Sequence, residues 1–327
     1  MKLNKLPEIV IPNLDYTSNK INVLYLADTP NWSFHFKGID YIKHLPQFDI
    51  DIGFANLNWI DQVEKKHYDV IHHLHEQYFA ETKDLVSFIK HHNSKGTKVV
   101  LTINEVLSPY DIMIKKDRIS AFNCVSVNNP YVYEIMIKSG FENIHLTYDG
   151  VDLSTFFIEK PFDQRDFIVF FSSSVMRLEH KGYSILQEVK NKLSNYKDIY
   201  FAEIYVDSFD NKRTLKDMNK IYNECKVFLC LSKSEGGPCT LLEASACGCV
   251  PVCTDVGYSN YFRNCNIIER NVDSCVGKIL ELKSDKKKLQ LMHHGIVDEI
   301  KSWDSKYMSQ QWGKFLIDSH EDNSINC

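Results

Sequence analysis

Short apolar runs rich in β-branched residues recur along this chain, and each is followed by an amphipathic stretch of helical length. Ile21–Ala27 (INVLYLA), Tyr68–Leu74 (YDVIHHL), Lys98–Ile103 (KVVLTI) and Cys124–Val127 (CVSV) are too short for helices and read as buried strands. Between them, ETKDLVSFIKHHNSKG gathers Leu85, Val86, Phe88 and Ile89 on one face and stops at Gly96. NPYVYEIMIKSG repeats the form with Gly140 as its stop. Such alternation specifies a parallel sheet with helices on its faces.

The first series runs to about Phe156. The polar, proline-containing stretch Ile158–Asp166 (IEKPFDQRD) reads as a linker, and a second series follows. Its strands are Phe167–Ser174, Ile199–Val206, Val227–Ser232 and a run from Val250. Its helices are KGYSILQEVKNKL, LKDMNKIYNEC and CTLLEASAC. A length of 327 residues suits two such domains of about 150 residues each. The fold class is α/β, with two Rossmann-like domains. The net charge of −5 gives no sign of a general nucleic-acid surface. No apolar run approaches the roughly 20 residues that span a bilayer, so no stable membrane insertion is expected. The start of the chain lacks a signal-peptide pattern, and the expected location is cytoplasmic.

Open α/β sheets bind ligands beyond the carboxyl ends of their strands. SKSEGGPCTLLEASACGCVPVCTDVG, from Ser232 to Gly257, lies at such a place. Gly236 and Gly237 let a ligand approach the backbone, Pro238 sets the chain for a helix, and the helix start suits a phosphate. Glu235 in the loop and Glu243 on the helix are eight positions apart. Carboxylates there accept hydrogen bonds from sugar hydroxyls. Six of the ten cysteines fall between Cys225 and Cys253. Their spacing matches no zinc site, and a reducing compartment disfavours disulfides, so they read as small buried apolar residues.

This segment resembles the signature of the GT-B retaining glycosyltransferases of family 4, the glycosyl transferases group 1. Glu235 and Glu243 match its Glu-x7-Glu pair, and Ala244, Ala246, Gly248, Pro251 and Val252 match the remainder. GFENIHLTYDGVDLSTF resembles the family's interdomain joint, SSSVMRLEHKGYSIL its Gly-Arg…Lys-Gly loop, and YDVIHHLHE and KVVLTINE its third and fourth strand regions. The likeness covers roughly residues 21–315 and is stronger in the second half. It implies two domains facing across a cleft. The acceptor-side domain is 1–157, joined by a C-terminal helix at about 303–320, and the nucleotide-sugar domain is 158–302.

It also implies site residues. Arg177, Lys181 and Glu235 form the catalytic set, with both cations on the donor's diphosphate and Glu235 on the donor sugar. Glu243 holds the ribose, and the backbone at Gly236, Gly237, Cys239, Thr240 and Leu241 completes the donor site. The donor is a UDP- or GDP-sugar, and no cofactor is required.

The first domain departs from the family pattern. DTPNWSFHFKG replaces a glycine-rich loop, and Asn104 stands where the family often has a histidine. An amide cannot carry a proton as imidazole does. Trp32, His35, His75, Asn104 and Gly150 are candidate acceptor or sugar contacts, Trp32 by stacking. His72, His73 and His75 cluster with Glu76, but His72 and His73 point to opposite faces of a strand, and no metal is assigned. The tripeptide Asp49–Asp51 has the Asp-x-Asp form of metal-dependent transferases of another topology and is set aside. The acceptor is a glycan, a glycolipid or a modified nucleobase. For the last, Lys65, Lys66, Lys115, Lys116 and Arg118 would form a basic rim. A glycolipid acceptor would place the chain at the inner membrane face, although no basic amphipathic helix argues for it. A non-catalytic nucleotide-sugar binder is the other alternative.

Overall fold

The computed structural model describes residues 20–30, 33–55, 59–74, 82–104, 108–206 and 213–321. The chain divides into two compact units. One is Gly150–Asp304, and the other combines the described residues up to Asp149 with Ser305–Glu321.

The first unit contains strands β1 (Ile21–Ala27), β2 (Phe48–Phe54), β3 (Val70–His73), β4 (Lys98–Ile103), β5 (Cys124–Val127) and β6 (Ile144–Leu146). They form one parallel sheet in the order β2-β1-β3-β4-β5-β6. Helices α1 (Ser33–His44), α2 (Trp59–Lys65), α3 (Thr82–Asn93), α4 (Pro109–Ile119) and α5 (Pro130–Lys138) connect them. The chain's last described helix, Ser305–Glu321, also belongs here. Its Trp312, Phe315 and Leu316 share a core with Tyr25 and Tyr41, and the rings of Tyr41 and Trp312 stack at 3.9 Å. On the other side, Leu85 and Ile89 of α3, Ile112 of α4 and Val132 of α5 close over Val99 and Leu101. The two histidines of β3 divide between these cores. His72 meets Tyr25 and Trp312, whereas His73 meets Trp59 and Phe122. Burial pushes the pKa of both well down, His73 to about 3, so both are neutral packing groups near pH 7.

The second unit contains strands β7 (Ile168–Ser174), β8 (Tyr200–Val206), β9 (Val227–Cys230), β10 (Val250–Thr254) and β11 (Asn266–Ile268). They form a parallel sheet in the order β11-β10-β9-β7-β8. Its helices are α6 (Leu178–Lys181), α7 (Tyr183–Leu193), α8 (Leu215–Glu224), α9 (Cys239–Ala246), α10 (Val272–Ser284) and α11 (Lys286–Glu299), which makes Ser305–Glu321 α12. Leu186, Val189 and Leu193 repeat at helical spacing and meet Val169 and Phe171 of β7 and Ile279 of α10 in one core.

The stretch 158–166 is not a free linker, contrary to the reading from its polarity. Phe162 and Arg165 are buried. Arg165 donates to the carbonyls of Lys160 and Cys225 and to Asn223 Oδ1. A charged side chain thus ties the segment into the second unit by satisfying carbonyls at the end of α8.

Cys225, Cys230, Cys247, Cys249, Cys253 and Cys275 are all buried as free thiols. Burial pushes Cys249 and Cys275 up to about 12, so they behave as compact apolar groups. No described helix is long and apolar enough to cross a membrane.

Candidate active site

The order of the second sheet reverses between β7 and β9. From β7 the chain moves outward to β8, and it then returns to the other side of β7 as β9. The loops after these adjacent strands therefore meet at the carboxyl edge, where such sheets bind ligands. The first loop runs through α6 and the second from Leu231 to Pro238.

Several bonds fasten one to the other. The Lys233 amide donates to the His180 carbonyl at 2.9 Å, and the His180 ring bonds the Ser234 carbonyl at 2.8 Å. Arg270 donates to the Leu231 and Glu179 carbonyls at 2.8 and 3.0 Å. The Lys181 ammonium pairs with the Glu235 carboxylate, which also accepts from Ser232 Oγ at 2.5 Å.

Two glycines set how closely the loops approach. Gly182 has φ +89°, and a Cβ there would lie 2.6 Å from the Leu231 carbonyl oxygen. Gly257, after β10, has φ +57°, and a Cβ would lie 2.7 Å from Pro238 Cδ. Gly182→Ala is therefore expected to cost about 1–3 kcal/mol through strain and forced separation. Thermal unfolding should show a loss of about 2–4 °C per kcal/mol.

Pro238, in extended backbone, stands immediately before α9. Glu243 lies one turn further on and accepts a hydrogen bond from the Tyr222 hydroxyl at 2.7 Å. Burial raises the Glu243 carboxyl to about 7, and the Tyr222 bond opposes that rise only in part.

The structure brings Lys181, Glu235 and the Gly236–Pro238 bend together. Arg177 ends the short turn before α6. It is exposed and makes no hydrogen bond or ion pair with a described residue. Leu241 does not serve as expected. Its side chain is fully buried, and its amide already donates to the Pro238 carbonyl at 2.9 Å, leaving no N–H for a phosphate. The Thr240 amide makes no such bond among the described residues. Three residues escaped the sequence reading, namely His180, Arg270 and Tyr222. His180 stands inside the quoted RLEHKG stretch, and its proximity to two proposed ligands was the available signal.

In the first unit, Trp32 and His75 lie outside the described residues. His35 is half-buried, stacked on Phe36 and edge-on to Phe54, and burial lowers its pKa. Asn104 follows β4 and accepts from the Lys37 ammonium at 3.1 Å. Gly150 follows the buried Asp149 and opens the second unit. Lys66 of the suggested basic rim is engaged by both Asp49 and Asp51. No group of three or more His, Cys, Asp or Glu side chains among the described residues converges as a metal ion would require.

Residues 186–294 match the family model described as glycosyl transferases group 1. The second unit holds a glycosyl transferases group 1 domain. The match falls on the half of the chain that carries the stronger sequence resemblance to that family. No curated protein matches the chain.

Among solved structures, Anabaena HepE in complex with UDP and glucose is similar, at 14% identity and a TM-score of 0.68, over 91% of this chain and 99% of that one. Sucrose-phosphate synthase from Thermosynechococcus elongatus is similar at 12% identity and 0.64, over 91% and 98%. A glycosyltransferase from Rickettsia africae is similar at 13% and 0.65, over 94% and 100%. At such identities the shared property is the fold, and the α/β GT-B class stands. The glycosyl transferase domain covers the Glu235–Glu243 segment and the loop–helix junction at Pro238. Arg177 and Lys181 precede the matched residues.

Proposed function

We propose that this chain is a retaining glycosyltransferase that moves a sugar from a UDP-sugar to an acceptor hydroxyl. The observation that carries the reading is the Lys181–Glu235 pair, which holds a cation against the bend that opens α9. Lys181 has further N–H groups beyond the one given to Glu235. Arg177 adds a planar fork, and α9 adds its first-turn amides and the positive end of its dipole.

Together these groups suit a diphosphate. As the bond from the anomeric carbon to the diphosphate oxygen breaks, its electron pair stays on that oxygen. The two cations stabilise the growing charge. The acceptor oxygen forms its bond on the face being vacated, and its proton passes to the diphosphate. Configuration is retained without the paired carboxylates of a hydrolase. Glu243 accepts from ribose hydroxyls and Glu235 from a hydroxyl of the transferred sugar. The likeness to HepE, whose structure holds UDP and glucose, favours uracil over guanine.

A thermal-shift series with UDP and GDP, alongside release of free sugar from UDP-glucose, tests this. At a hundredfold excess over Kd, UDP should stabilise the fold by about 2.7 kcal/mol, and GDP by much less. A larger shift with GDP overturns the donor assignment. Binding of UDP with no turnover across a broad acceptor set overturns the enzymatic one.

A further inference from the structure

At the carboxyl edge of the first sheet, four side chains from distant parts of the chain form one buried polar cluster. Lys37 comes from α1. Asn104 follows β4, Asn128 follows β5, and Asp149 lies beyond β6. The Lys37 ammonium pairs with Asp149 Oδ1 and donates to Asn104 Oδ1 at 3.1 Å. Asn128 Nδ2 donates to Asp149 Oδ2 at 3.0 Å, and Asn104 Nδ2 to the Thr102 carbonyl at 3.2 Å. The Lys37 and Asp149 side chains are only 12% and 4% exposed.

A buried ion pair is a costly way to stabilise a fold, because desolvation offsets most of its attraction. This one retains unused hydrogen-bonding capacity. The ammonium carries three N–H groups, and the described residues take two of them by hydrogen bond. Asn128 Oδ1 is buried with no partner. A buried carbonyl oxygen without a partner and an ammonium with one N–H not taken by a hydrogen bond, 5.4 Å from the centroid of the Phe34 ring, stand in one cluster whose net charge is zero.

We propose that this cluster binds the acceptor of the sugar-transfer reaction, with Lys37 donating to an acceptor oxygen and Asn128 Oδ1 accepting from a neighbouring hydroxyl. The pattern fits a neutral polyol, that is, a glycoside. An anionic acceptor gains little, because Asp149 already cancels the Lys37 charge. Asn104 and Asp149 are positioning residues that hold the ammonium from two sides. The inference rests on the transferase reading above and names its acceptor class.

The test uses the full chain with UDP-glucose as donor. Methyl α- and β-glucopyranosides and galactopyranosides are the neutral acceptors, and glycerol 3-phosphate is the anionic one. The variants are Lys37→Met and the double variant Lys37→Met/Asp149→Asn. The single variant strands a buried carboxylate and should melt earlier, whereas the double variant should recover the wild-type melting temperature. In both, KM for the glycoside should rise about tenfold or more, as loss of a hydrogen bond from a charged donor implies. UDP affinity and the release of glucose to water should persist. Recovery of both melting temperature and acceptor KM in the double variant would make the pair structural and overturn the proposal. Preference for glycerol 3-phosphate, or no transfer to any glycoside, overturns the acceptor class. Failure of the wild type to bind either UDP or GDP sinks the transferase reading instead.

Discussion

The Arg177→Ala/Lys181→Ala variant is expected to lose on the order of a thousandfold or more in kcat/KM for UDP-sugar turnover while keeping its fold. The reasoning is electrostatic. Removing one fixed donor aimed at developing charge costs roughly a hundred- to a thousandfold in other enzymes, and here two charged donors go together. The fold is expected to tolerate the change. Arg177 is exposed and bonds no described residue. Glu235 keeps the Ser232 hydroxyl after Lys181 is gone. The Lys233–His180, His180–Ser234 and Arg270 bonds still join the loops. A melting temperature close to wild type with collapsed turnover supports the assignment. Turnover within a few-fold of wild type removes both residues from the chemistry.

Glu243 gives the second large effect, and pH separates its two parts. Glu243→Ala removes a charged acceptor for ribose hydroxyls, and UDP affinity should fall roughly ten- to a hundredfold. The fold responds in the opposite sense. Burial raises the carboxyl from 4.5 to about 7. Between those values the folded chain keeps a proton that the unfolded chain has lost. This group's contribution is therefore complete below pH 4.5 and is lost as pH rises through 7. A neutral amide escapes that loss. Glu243→Gln should match the wild-type melting temperature near pH 4.5 and exceed it by several degrees at about pH 8, where the wild-type side chain is ionised. A gap that does not widen with pH contradicts the burial account. Unchanged UDP affinity in Glu243→Ala contradicts the ribose assignment.

Position in the sheet separates the strands legible in the sequence from those that were not, with β8, an edge strand read as Ile199–Val206, as the exception. β1, β3, β4, β5, β7, β9 and β10 lie inside the sheets, are covered on both faces, and read as continuous apolar runs. β2, β6 and β11, which escaped notice, are edge strands. β2 alternates Phe48, Ile50, Ile52 and Phe54 with Asp49 and Asp51, so its acidic pair resembled a metal motif. Those aspartates in fact meet Lys66.

The two candidate sites divide similarly. The donor side draws on two short stretches, one holding Arg177 and Lys181 and the other running from Ser232 to Glu243, and each is nearly contiguous in the sequence. Tyr222 and Arg270 reach it from other elements, and no spacing rule points to them. The Lys37 cluster joins positions more than a hundred residues apart, and only the sheet order brings them together. Asn104 was noticed because it stood where a histidine was expected, and Lys37 had no such cue. The linker reading of 158–166 failed because polarity was taken for exposure. Arg165 is polar and buried, with its guanidinium spent on carbonyls.

Isothermal titration of UDP into the wild type and the Arg177→Ala/Lys181→Ala variant tests the diphosphate assignment most directly. The account predicts a saturable exothermic wild-type isotherm and an affinity at least about a hundredfold weaker in the variant, since each charged hydrogen bond to phosphate contributes about 1.5–3 kcal/mol. Equal affinities in the two proteins would place the diphosphate elsewhere and contradict it.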